Sequence, residues 1–165
     1  WFWGHAASAL GFGLSLLAGA TIRRYLPQKC RLADTSFVLF CLGAAIFAFG
    51  LGADGIGPLA AAGSPGGALA YFEHSGSWIG PVFISGSAVF GIGLILQVVS
   101  VNRAGLLQGV WRIAALTGAI IFLGATAIPS GWGLYVVAAG CLAAMLPVSA
   151  AILKRTSPES PAAPS

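Results

Sequence analysis

A chain of 165 residues that is 58% hydrophobic and only 7% charged cannot cover a water-soluble globule, because soluble domains carry about 25% charged residues. At a mean hydropathy of +0.91, most of its surface must face lipid or other helices. The formal charge of +4 would suit nucleic acid, but the placement of the cations argues against that partner.

A helix needs about 20 apolar residues to cross the hydrocarbon core. Five segments meet that requirement: residues 3–22, 36–53, 78–101, 111–128 and 132–153. The expected fold is therefore all-α, a polytopic transmembrane helix bundle occupying residues 1–155.

The first span has no basic residue before it and is long enough to cross, so it does not read as a signal peptide. Ala7, Gly11, Ser15 and Gly19 recur in it every four residues, a spacing that lines small side chains along one face for close helix packing. Arg23, Arg24, Lys29 and Arg31 then separate it from the second span, which ends at Asp54. Residues 54–77 are rich in Gly, Ala and Pro and read as a long connection, with a short interfacial helix over residues 68–72. Glu73 and His74 close this segment just before the third span. In that span Ser87 and Gly91 repeat the small-residue device, as do Ala114 with Gly118 and Gly140 with Ala144 further on.

Arg103 and Arg112 flank the connection to the fourth span. A tight hairpin around Pro129 leads to the fifth, where Pro147 predicts a weakened turn. Lys154 and Arg155 follow, then a Ser/Pro/Ala tail over residues 156–165 that reads as disordered. Cys30, Cys41 and Cys141 form no close pair, so neither a disulfide framework nor a zinc ribbon is expected.

With five spans, all 8 cations fall on one side, and the positive-inside rule makes that side cytoplasmic. The first residue then lies outside and the C-terminus inside a prokaryotic inner membrane. The lipid bilayer is the expected partner, small-residue faces offer a homo-oligomer contact, and nucleic acid is not expected.

Chemistry has few places to reside. No span carries an ionisable residue at its centre, which disfavours a proton-coupled carrier. His5, Asp54, Glu73 and His74 share the outer rim in an antiparallel bundle. Two imidazoles and two carboxylates could hold a divalent metal, although no His-Glu-x-x-His helix is present and no cofactor is otherwise implied. Polar residues also end spans simply because water begins there. The Gly-rich stretch at residues 50–57 follows a span instead of a strand, so it is no nucleotide-binding loop. The expectation is a non-enzymatic accessory or envelope-associated membrane protein. Two alternatives stay open: a hydrolase-like enzyme at the outer leaflet using the Asp/Glu/His cluster, and a small permease for a neutral solute.

The run Ala9-Leu10-Gly11-Phe12-Gly13-Leu14 with Ile22-Arg23-Arg24, the outward Asp54, His74 opening a helix and the pair Trp111-Arg112 together resemble a prokaryotic membrane family. That family is known as domain of unknown function nine-nine-eight. The resemblance implies six helices, with the family's first helix lying upstream of Trp1. It implies no activity.

Overall fold

The structure, a computed structural model, describes residues 2–126 and 131–156. The described residues form five helices: α1 (Phe2–Tyr25), α2 (Arg31–Ala61), α3 (Gly67–Arg103), α4 (Gly109–Ala125) and α5 (Gly131–Thr156). Four helical stretches, Phe2–Tyr25, Arg31–Ala61, Gly67–Arg103 and Tyr135–Arg155, are long and apolar enough to cross a membrane, and Gly109–Ala125 is a shorter apolar helix. By helix length and hydropathy this is a multi-pass membrane protein.

The chain packs largely in sequence order, α1 on α2, α2 on α3, α3 on α4 and α4 on α5. Short connections force each neighbour to run antiparallel, which is the geometry expected of a bundle. Leu14, Val38, Ile84, Ile113 and Leu146 point outward from the helices. Apolar side chains facing away from the protein make the belt that lipid covers.

The core runs through the bundle as a row of aromatic rings. Phe90 stacks at 4.3 Å from Phe40, 5.2 Å from Phe12 and 5.3 Å from Phe122, which ties α3 to α2, α1 and α4. These rings fit because glycines let backbones close in around them. A Cβ on Gly43 would strike the Phe90 backbone, and one on Gly93 would strike the Phe40 backbone. The two helices thus interlock reciprocally. Gly118 and Gly140 do the same for α4 and α5, each pressed against the other helix's main chain.

The expected connection over residues 54–77 is replaced by helix. α2 runs on through Asp54 to Ala61 and α3 begins at Gly67, leaving only a tight turn. The expected short helix over residues 68–72 is simply the first turns of α3. Gly and Pro break helices in isolation, but a neighbouring helix can make good the loss. Pro58 sits near the end of α2, so few backbone bonds are disturbed. Gly55 and Gly57 serve as seats for His5 and Tyr71, as described below. The left-handed φ of +80° at Gly66 makes the turn itself, a conformation only glycine adopts freely. α5 continues through Pro147. The expected hairpin at Pro129 and most of the expected tail lie outside the described residues.

Among the small residues expected at contacts, Gly19 lies against Phe40, and Gly91 faces Phe122 and Leu123 of α4. Ser87 is buried. Ser15 is half-buried and donates to the Phe12 carbonyl of its own helix at 2.6 Å. Gly11 is exposed with open space where a Cβ would stand. The tightest seams run instead through Gly43, Gly86, Gly93, Gly118 and Gly140.

Candidate functional site

At a rise of 1.5 Å per residue, α2 is about 46 Å long and α3 about 55 Å, both well beyond the ~30 Å hydrocarbon core. The α2–α3 hairpin therefore projects past one end of the bundle. Arg23, Arg24, Arg31, Arg103, Lys154 and Arg155 all stand in first or last turns gathered at the opposite end, and Lys29 and Arg112 lie beside them. Asp54 is about 34 Å along α2 from Arg31, at the far edge of a core of that thickness.

Two of the four expected rim residues meet there. His5 Nε2 lies 2.8 Å from Asp54 Oδ2, joining α1 to α2, and both side chains are largely shielded at 16% and 15% exposure. Nε2–H donates and the carboxylate accepts. The contact is possible because the His5 Cβ rests where a side chain on Gly55 would stand, at 2.8 Å. Beside it, Tyr71 of α3 donates its hydroxyl to the Ala53 carbonyl at 2.8 Å, with its ring seated on Gly57. Two glycines two residues apart thus receive a ring from each flanking helix.

Glu73 and His74 do not join them. Glu73 is exposed. His74 is exposed and donates Nδ1–H to the Ala70 carbonyl at 2.7 Å, within its own helix. Its ring helps line an open groove of about 460 Å³ beneath the α2–α3 turn, shared with Ser64, Tyr71, Ser75 and Trp78. The Ser75 hydroxyl donates to the Tyr71 carbonyl at 2.6 Å and is not aimed at the imidazole. Among the described residues, no group of three or more His, Cys, Asp or Glu side chains could hold a metal ion.

Two polar contacts at the cationic end were not expected from the sequence. Arg23 donates Nε–H and Nη2–H to Asp34 Oδ1 at 2.8 and 2.6 Å. It also reaches the carbonyls of Leu26, Pro27 and Gln28 at 3.4, 3.2 and 3.0 Å, which ties down the α1–α2 turn. The signal for this pair was present: Asp34 is an acid in the first turn of α2 beside four cations, where it also suits the helix dipole. Gln97 of α3 is 2% exposed, and its amide nitrogen approaches the Gly19 carbonyl of α1 at 3.4 Å. Its Oε1 has no partner among the described residues.

Comparison with protein-family models, with curated proteins and with solved structures finds no match. The chain is thus defined by its own geometry: a multi-pass helical bundle with a polar helix–helix clasp at one end and a cationic rim at the other.

Proposed function

We propose that this is a non-enzymatic membrane protein whose bundle anchors the α2–α3 tip in the outer aqueous phase, as an accessory or envelope-associated component. The observation that carries this reading is how the rim residues are used. His5 and Asp54 bind each other across a helix contact, while Glu73 and His74 stand apart from them on exposed surface. A hydrolytic or metal site needs at least a base, an orienting partner and a place for a reacting atom within reach of both. The His5–Asp54 pair supplies an imidazole and an orienting carboxylate, but it lies between helices at 16% and 15% exposure and outside the groove that His74 lines, and it fastens α1 in register. The orientation, with five spans, the first residue outside and the C-terminus cytoplasmic, rests on the cations sharing one end. It also requires α4 to cross, and 17 residues, about 25 Å, is at the short limit for doing so. Membership of the six-helix family belongs to the same proposal.

The test uses the turn between α2 and α3. With Cys30, Cys41 and Cys141 replaced by serine, Ser64→Cys in intact cells should react fully with a membrane-impermeant maleimide. Protection until the cells are opened would place the tip in the cytoplasm and reverse the proposed arrangement.

A further inference from the structure

At the cationic end the α1–α2 turn encloses a small groove of about 310 Å³ lined by Arg23, Arg24, Leu26 and Gln28. Its two arginines differ in what they do. Arg23 is committed to the Asp34 carboxylate and to three carbonyls of the turn, so its charge is balanced and it acts as the frame of the groove. Arg24 is exposed on the same wall, and Asp34 is the acid that the described residues place at this turn. The groove is therefore electropositive, with a fixed shape.

The face of α1 leading into it is equally specific. Leu10, Leu14, Leu17, Thr21 and Arg24 follow one another at steps of four, three, four and three, so they share a single stripe. All are exposed, the three leucines at 69%, 64% and 66%. From Leu14 to Arg24 is ten residues, about 15 Å, which is the depth of one hydrocarbon leaflet. A cation thus stands at headgroup level, at the top of an apolar track one acyl chain long.

We propose that this groove binds the phosphate of an anionic phospholipid, with Arg24 contacting the headgroup and one acyl chain lying along Leu17 and Leu14. A free phosphate would have the same attraction for Arg24 but no use for the apolar track. The proposal does not depend on which side of the membrane this end faces.

The test measures retention of lipid on the purified protein by native mass spectrometry, with phosphatidylglycerol and phosphatidylcholine of matched chains. The wild type should hold phosphatidylglycerol in clear preference, and raised salt in the loading step should weaken that preference. Arg24→Gln should lower phosphatidylglycerol retention roughly fivefold, the contribution of one basic residue near an anionic surface, and leave phosphatidylcholine retention unchanged. Arg24→Lys should restore most of it, since a lysine still offers a point charge. Circular dichroism at wild-type level for Arg24→Gln ties the loss to the groove and not to misfolding. Equal retention by Arg24→Gln and wild type would overturn the proposal. So would competition by millimolar inorganic phosphate, which would mark a free-anion site, or a dimer that dissociates on Leu14→Gln without loss of lipid, which would mark a second copy on the stripe.

Discussion

The α2–α3 hairpin and helix α1 are built on opposite plans. In the hairpin, backbones interlock: Gly43 lies on the Phe90 main chain, Gly93 on that of Phe40 and Gly86 on that of Phe47. Of their most apolar windows, 33% and 44% are buried in α2 and α3, against 11% in α1. α1 instead lies on the outside of the hairpin and is fixed at points, by His5 on Asp54 at one end, Phe12 between Phe47 and Phe90 in the middle, and Arg23 on Asp34 at the other. The difference follows from the solvent. Lipid offers no hydrophobic drive between helices, so association comes from close packing where side chains are small and from polar contacts where they are not. Steric interlock should hold the hairpin, and a few directional bonds should set the register of α1.

The widest gap between the two plans should appear when a side chain is added to each. Gly43→Val puts a branched group where the Phe90 backbone stands, and neither helix can retreat without breaking the reciprocal Gly93–Phe40 contact. Overpacking of this kind costs about 1–3 kcal/mol, and more where backbone must move. We expect at least 3 kcal/mol lost in denaturant titrations in micelles, with much of the protein failing to fold. Gly11→Val, on the exposed face of α1, meets nothing and should stay within about 0.5 kcal/mol of wild type. Equal losses at the two positions would show that α1 packs against something through Gly11.

A smaller effect is expected at the clasp. Asp54→Ala removes the carboxylate that His5 donates to and leaves the imidazole partly shielded. Interhelical polar contacts in membranes contribute about 0.6 kcal/mol on average and at most about 1.7. The loss should be close to 1 kcal/mol and local. Amides of α1 around residues 5–12 should exchange faster with deuterium, while those around Phe40 and Phe90 keep wild-type rates. Faster exchange throughout α3 as well would mean that the clasp holds the hairpin too.

This division also explains what the sequence made legible. Apolar length and cation clustering are properties of single segments, so the helices and the gathering of Arg23, Arg31, Arg103 and Arg155 could be read directly. Which residues meet is a property of pairs. A stripe at every fourth position in α1 marks several small residues equally, yet Gly19 is packed and Gly11 is not, because the partner helix covers only one end of that face. Residues 54–61 and 67–77 carried turn chemistry in isolation and are helical because α2 and α3 brace each other, with glycines acting as seats for His5 and Tyr71. Proximity in sequence misled in a similar way. Glu73 and His74 are neighbours and part company, while His5 and Asp54 are 49 residues apart and meet.

The smallest expected change tests whether every polar contact on α1 fastens it. Gln97 is buried against Gly19, but its amide N–H reaches the carbonyl at 3.4 Å, a long bond, and its Oε1 is unsatisfied among the described residues. A weak bond contributes little, and a buried acceptor without a partner opposes it by about 1–3 kcal/mol. Gln97→Met keeps the length of the side chain and removes both polar groups, so stability should be unchanged or rise by up to about 1 kcal/mol in the same titration. A loss above 2 kcal/mol would require a further partner for the amide, such as an internal water with two or more protein ligands. In that case the α1–α3 contact at Gly19 would be a second clasp, and the half of α1 nearer Arg23 would be held as firmly as the end at His5.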